Sequence, residues 1–244
     1  MRRVVVLALF CLPALAFADC EAQMPKWAKT LHPALTFDAG HSMCKVSPAD
    51  ASRTLAALTF VEEGDADGDA TYGLEVLSAD TASGAIKSHV YQSGAINSDA
   101  VQFRSLSLDT ARYQLAPGVR AFGVRMDYTG SSRVNPYEAT ALNLYVEEGQ
   151  KIRKVLNNLK IDESNGEWDG NCAGDFSASH RTLSIGKTAN KGFATLVLDS
   201  KTVDSHSVAK GDDCDQKEDP PVLKKTELSY NGQQYDVPEE LNFQ

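Results

Sequence analysis

After residue 18 the sequence has no apolar run long enough to cross a bilayer as a helix, which argues against a helical anchor there. It has no Gly-x-Ser-x-Gly elbow and no His-Glu-x-x-His, so neither a hydrolase nucleophile nor a zinc-protease site is announced. No glycine-rich phosphate cradle is present, and there is no Cys-x-x-Cys of the kind zinc ribbons use. Positive charge is also scarce: 24 Lys and Arg stand against 33 Asp and Glu, for a formal net charge of −9. That balance argues against nucleic acid and anionic lipid surfaces, both of which attract basic faces. The five histidines, His32, His41, His89, His180 and His206, are scattered, so any triad has to assemble in space.

The first residues carry a targeting pattern. Arg2 and Arg3 precede an uncharged apolar run over residues 4–12, and Ala16-Phe17-Ala18 supplies the small-x-small pattern of a cleavage site. Residues 1–18 are therefore predicted to be a signal peptide, with Asp19 as the first mature residue. Lipid attachment is rejected, because Asp19 precedes Cys20 and Phe10 precedes Cys11 where a small residue is needed. Removing Arg2 and Arg3 takes two positive charges from −9 and leaves −11 on the mature chain. Such acidity suits a cationic partner, and it also serves solubility alone. The chain is 42% hydrophobic and 23% charged, enough apolar content for a folded core.

Four cysteines remain after cleavage: Cys20, Cys44, Cys172 and Cys214. An even count in an exported chain predicts disulfides. Of three possible pairings, proximity in sequence favours Cys20–Cys44 and Cys172–Cys214.

Residues 19–50 read as an irregular N-terminal arm, punctuated by Pro25, Pro33 and Pro48, with room for a short helical turn over residues 26–31. Residues 51–244 read as one β-rich domain. Leu58 and Phe60, Leu74 and Val76, Val101 and Phe103, and Leu142, Leu144 and Val146 alternate with other residues as half-buried strands do. The longest clean alternation is Phe122, Val124, Met126 and Tyr128. Turn signals such as Ala116-Pro117-Gly118 and Glu148-Gly149 separate these runs, and Asn231-Gly232 is a hairpin signal. Ile152, Val155, Leu156 and Leu159 fall at helical spacing, yet Leu159-x-Ile161 fits a strand, and the pattern favours a strand with a bulge. The predicted fold is mainly β, an antiparallel meander arranged as a sandwich or propeller-like, with a disulfide-tied arm.

Three local clusters bear on chemistry. Asp65-Ala66-Asp67-Gly68-Asp69, leading into Leu74-Glu75-Val76, places alternate carboxylates in a tight turn, where hard cations find oxygen ligands. These residues resemble the calcium loop of FG-GAP type propeller blades, with Ala70 and Gly73 departing from its pattern. The resemblance implies calcium held by Asp65, Asp67 and Asp69; the competing interpretation is a solvated acidic turn. Glu167-Trp168-Asp169 places an aromatic ring between two acids, a pattern for stacking on a sugar and binding its hydroxyls, or for a glycosidase pair. Its plainer interpretation is a tryptophan packed over the Cys172 disulfide. Asp212-Asp213-Cys214-Asp215, with Glu218, Asp219 and His206 nearby, reads as a solvated charge run.

The whole resembles exported β-rich proteins of Gram-negative bacteria. The expectation is a periplasmic or secreted binding or inhibitor-type protein rather than an enzyme, acting on a protein or glycan of the cell envelope without a membrane anchor or nucleic acid. A cell-envelope glycan hydrolase using Glu167 and Asp169 and a structural envelope component are the alternatives. No cofactor is expected other than calcium.

Overall fold

Met24, Trp27 and Ala28 lie three and four residues apart, the spacing of one helix face, and all three are buried. They belong to α1 (Cys20–Leu31), the first element of the computed structural model, which describes residues 20–64, 69–211 and 213–244. The signal-peptide expectation over residues 1–18 therefore lies outside the described residues. Pro25 sits inside α1 and removes one backbone donor, so tertiary contacts carry the helix. Trp27 Nε1 donates to the Gly84 carbonyl at 2.7 Å, and the Cys20–Cys44 disulfide ties the helix to the first strand.

Twelve strands follow among the described residues. β1 (Thr36–Val46), β2 (Arg53–Gly64), β3 (Ala70–Asp80) and β4 (Ile86–Ser98) form one antiparallel meander. A second consists of β5 (Val101–Ala116), β6 (Val119–Gly130), β7 (Tyr137–Glu148) and β8 (Lys151–Trp168). β9 (Gly174–Asn190) pairs with the far half of β8, and β10 (Phe193–Lys210) pairs with β9. β12 (Val222–Leu228) lines the first part of β10 and β11 (Asp213–Glu218) its last part. The order across the main path is β1-β2-β3-β4-β8-β7-β6-β5, so the meanders join through β4 and β8. That junction is the sheet's parallel contact and rests on one pair, His89 with Lys151.

The two meanders enclose a common core. Leu55 and Ala57 of β2 and Leu74 and Val76 of β3 meet Leu106, Leu108, Val124, Met126 and Tyr145 of the second meander. The opposite faces of β2 and β3 carry Ala56, Leu58, Phe60, Leu77 and Ala79, which α1 covers. A third cluster packs Leu142, Leu144, Leu156 and Leu159 against Leu196 and Leu198 of β10 and against Tyr230 and Tyr235. Each fully buried Leu or Phe contributes roughly 1.5–3 kcal/mol.

The mainly β, meandering expectation is met, and all twelve strands belong to one mixed sheet rather than to separate propeller blades. The arm over residues 19–50 is more regular than its prolines predict, because α1 and β1 find apolar partners that composition does not reveal. Both expected disulfides are present: Cys20–Cys44 and Cys172–Cys214. They belong to an oxidising compartment. Residues 151–161 are strand, with register irregularities and a left-handed Asn158 at φ 49°. The Asn158 N–H donates to Oδ1 of buried Asn143 at 2.6 Å, which fixes the kink. Asn231-Gly232 turns the chain, with Gly232 at φ 103°, so that Tyr230 bridges to Tyr235.

Candidate functional site

A concave trough runs over β6 to β10. Cross-strand pairing sets its rows. Thr129, Glu138, Ser164, Ala178 and Val203 form one row. Asp127, Thr140, Asp162, His180 and Lys201 form the next. Paired residues and residues two apart share a face, so both rows line one surface. Small side chains at Ser164 and Ala178 lower the floor. Two adjoining hollows of about 550 and 610 Å³ share Thr129, Glu138, Ser164, Ala178 and Val203, and the second reaches Phe176 and Glu218.

The trough is acidic. Asp127 accepts from Ser105 Oγ and Thr140 Oγ1, both at 2.7 Å, which fixes the carboxylate in place. Asp162 is paired with His180 Nδ1, and that imidazole is mostly exposed. Lys201 stands beside His180 and provides the trough's lysine. Acidic groups at Asp127, Glu138, Asp162 and Glu218 thus outnumber the cations.

Glu163, which also lines the first hollow, gathers three partners. Lys160 Nζ lies 2.8 Å from Oε1, the Tyr137 hydroxyl donates to the same oxygen at 3.5 Å, and Arg181 Nη2 reaches Oε2 at 3.5 Å. Burial and the Glu163 charge push the Tyr137 phenol up to about 12, so it stays a neutral donor. Tyr137 and Lys160 also line a separate cleft of about 710 Å³ at the junction of β4 and β8.

A third cluster lies under the end of α1. Glu75 is fully buried, with Oε2 2.6 Å from His32 Nε2 and Oε1 3.1 Å from His89 Nδ1. Nearby, Glu62 receives the Tyr91 hydroxyl at 2.6 Å, the Gly94 N–H at 2.8 Å and Ser93 Oγ at 3.1 Å. Burial works against the Glu62 charge, but these three donors outweigh it and hold the carboxyl below its ordinary value.

The residues singled out in the sequence are placed as follows. Asp65 and Asp67 lie outside the described residues. Asp69 stands at the entrance to β3, in a hollow shared with Glu63, Asn97 and Asp99. Among the described residues no group of three or more His, Cys, Asp or Glu side chains is arranged to hold a metal ion. Glu167 is exposed near the end of β8, directly opposite Asp175 of β9. Asp169 has turned out of the strand, and its Oδ1 accepts the N–H groups of Asn171 at 2.8 Å and Ala173 at 3.0 Å. Trp168 is half-buried and its backbone N–H donates to the Val134 carbonyl at 2.8 Å.

Sequence reasoning missed Glu75, His32 and the trough. A charged residue between Leu74 and Val76 looks like the solvated half of an alternating strand. The trough residues are Ser, Thr and Ala, which carry no pattern of their own. No protein-family model, curated protein or solved structure matches the chain.

Proposed function

We propose that this chain is an exported, soluble binding protein that holds a positively charged, extended segment of an envelope partner in the trough over β6 to β10. The observation that supports it is the alignment of small floor residues, Ser164 and Ala178, beside the carboxylates of Glu138, Asp127 and Asp162. An extended segment fits a shallow surface crossing several strands, and acidic walls steer and hold cationic side chains. The overall charge of −9 acts in the same direction. A rigid sheet presenting a surface of loops and strand faces is a binding scaffold, which needs no nucleophile.

The glycan-hydrolase alternative loses ground on one observation. Inversion or retention requires both carboxylates to face the scissile bond, and Asp169 is occupied in closing its own turn.

Titration of the mature chain with an oligolysine peptide tests the reading. Binding is expected to weaken with added salt, and Glu138→Gln with Asp162→Asn to weaken it about tenfold. Glu63→Gln with Asp213→Asn removes the same charge from remote exposed positions and is expected to leave binding in place. Equal losses in the two double variants would mean that general acidity binds the peptide, and the trough assignment fails. Calcium at Asp65, Asp67 and Asp69 is a separate proposal: the ion is expected to raise Tm in the native chain and not in Asp67→Ala.

A further inference from the structure

The cleft where β4 and β8 part has a structural cause. The strands meet at His89 and Lys151, then separate as β8 turns at Asn158. In an unbroken parallel pair, residues near Asn97 of β4 would neighbour those near Asn158 and Lys160 of β8. The C-terminal segment enters the gap instead. Phe243 N–H donates to the Asn158 carbonyl at 2.8 Å, and Asn242 bridges to Leu159. What remains open is the cleft of about 710 Å³, within the ~300–1,000 Å³ range of small-molecule sites.

Its lining combines three kinds of group. Phe243 stacks on Tyr128 with ring centroids 4.2 Å apart, forming an aromatic wall. Asn97, Asn158 and Asn242 supply side-chain amides, each both donor and acceptor. Asn242 Oδ1 is buried and has no protein partner. Asp99 and Glu239 add carboxylate acceptors.

The charges narrow the ligand class. Lys160, the lining cation, is paired with Glu163 at 2.8 Å, and Arg181 faces the same carboxylate at 3.5 Å. An anionic ligand meets Asp99 and Glu239 with no free cation among the described lining residues. Asp99 Oδ1 accepts the Val101 N–H at 2.9 Å, which fixes the carboxylate at the cleft wall. We propose that this cleft binds a neutral mono- or disaccharide. The aromatic wall takes an apolar ring face, while amides and carboxylates take the hydroxyls, which both donate and accept. This cleft shares Tyr128 and Tyr137 with the walls of the trough hollows, but Asn97, Asn158 and Asn242 line the cleft and neither hollow, so the proposal does not rest on the trough's assignment.

The test follows backbone amide shifts of the mature chain during titration with N,N′-diacetylchitobiose and maltose, with glucuronate and spermidine as charged comparators. A neutral sugar is expected to move Asn97, Asn158 and Phe243. Asn97→Ala, at an exposed strand position, is expected to weaken binding about tenfold with Tm unchanged. Phe243→Leu, which keeps an apolar side chain and removes the ring, is expected to weaken binding likewise, with a lower Tm because the ring also packs on Tyr128. Glu138→Gln with Asp162→Asn is expected to retain sugar binding, which separates this site from the trough. The proposal is overturned by no shift with either sugar at about 10 mM, by shifts centred on Ser164 and Ala178, or by preference for glucuronate or spermidine.

Discussion

His32 Nε2 lies 2.6 Å from Glu75 Oε2 and joins the residue following α1 to a carboxylate with no solvent exposure. His89 holds the other oxygen at 3.1 Å. A buried carboxylate needs partners for both oxygens, and here they come from elements far apart in sequence. The pair therefore adds a polar fastening to the apolar contacts under α1. Removing His32 leaves one buried oxygen of Glu75 without its partner, so His32→Ala is expected to cost about 2 kcal/mol in urea unfolding. Glu75→Gln keeps an acceptor and a similar volume and is expected to cost less. Equal unfolding midpoints for native chain and His32→Ala would remove this fastening from the account.

Asp109 sets an acid limit on stability. Burial opposes its charge, but the Ala111 N–H, Arg125 and the Tyr113 hydroxyl outweigh that and hold its carboxyl below the ordinary value. Arg125 contacts Oδ2 through Nε at 3.0 Å and Nη2 at 2.7 Å. A carboxyl depressed in the folded state stabilises above its unfolded value, about 3.9 for Asp, and loses that contribution as pH falls through the folded value. Asp109→Asn is expected to flatten the decline of Tm below about pH 4, and Asp109→Ala to cost about 2 kcal/mol at neutral pH. An unchanged acid limb in Asp109→Asn would show that other carboxylates set it.

His206 tests the exposed row at the ends of β9 and β10. The hydrogen bond that His206 Nδ1 donates to Asp175 at 2.6 Å raises its pKa, slight burial opposes this, and Asp219 at 3.5 Å adds to the rise. A raised folded value favours folding below the unfolded value, about 6.5, and the contribution fades as pH rises through the folded value. Histidine proton NMR is expected to show the His206 midpoint falling in Asp175→Asn. A midpoint that does not move would dissociate the imidazole from Asp175 in solution.

The Cys172–Cys214 bridge joins the β8–β9 turn to β11, whose residues are all exposed. Cys214→Ala with Cys172→Ala is expected to cost about 3–4 kcal/mol by the chain-entropy model. Amide exchange is expected to quicken first in β11 and the last part of β10, while β2 and β3 stay protected. Uniform quickening through the molecule would mean that these strands open with the core.

Much of this architecture was legible because inward residues obey the strand period. Val124 and Met126 alternate into the shared core as their spacing predicts, and the cysteines pair with their nearer partners. Where two faces are buried the period disappears: β2 buries Leu55 and Ala57 on one side and Ala56 and Leu58 on the other. Helical spacing in Val155, Leu156 and Leu159 arises from the irregular pairing and Asn158 kink, which change which face a position presents. The helical turn expected over residues 26–31 falls within α1, and Pro25 concealed only its earlier residues, because composition does not show that Trp27 and Met24 have a surface to cover. The trough and cleft depend on register between strands far apart in sequence, and Glu75 becomes buried only when α1 brings His32 over it.

β12 pairs, among the described residues, with β10 on one side, and near its open edge Val222 and Leu223 are 62% and 76% exposed. Such an edge is a template on which another copy of the chain can extend the sheet, the first step of fibre growth. Lys224 and Lys225 follow these apolar residues and lie 3.6 Å from Glu240 and 3.0 Å from Asp199, so a like strand joining this edge has to desolvate two ion pairs. In an acidic molecule these two lysines thus set a charged barrier beside an apolar edge.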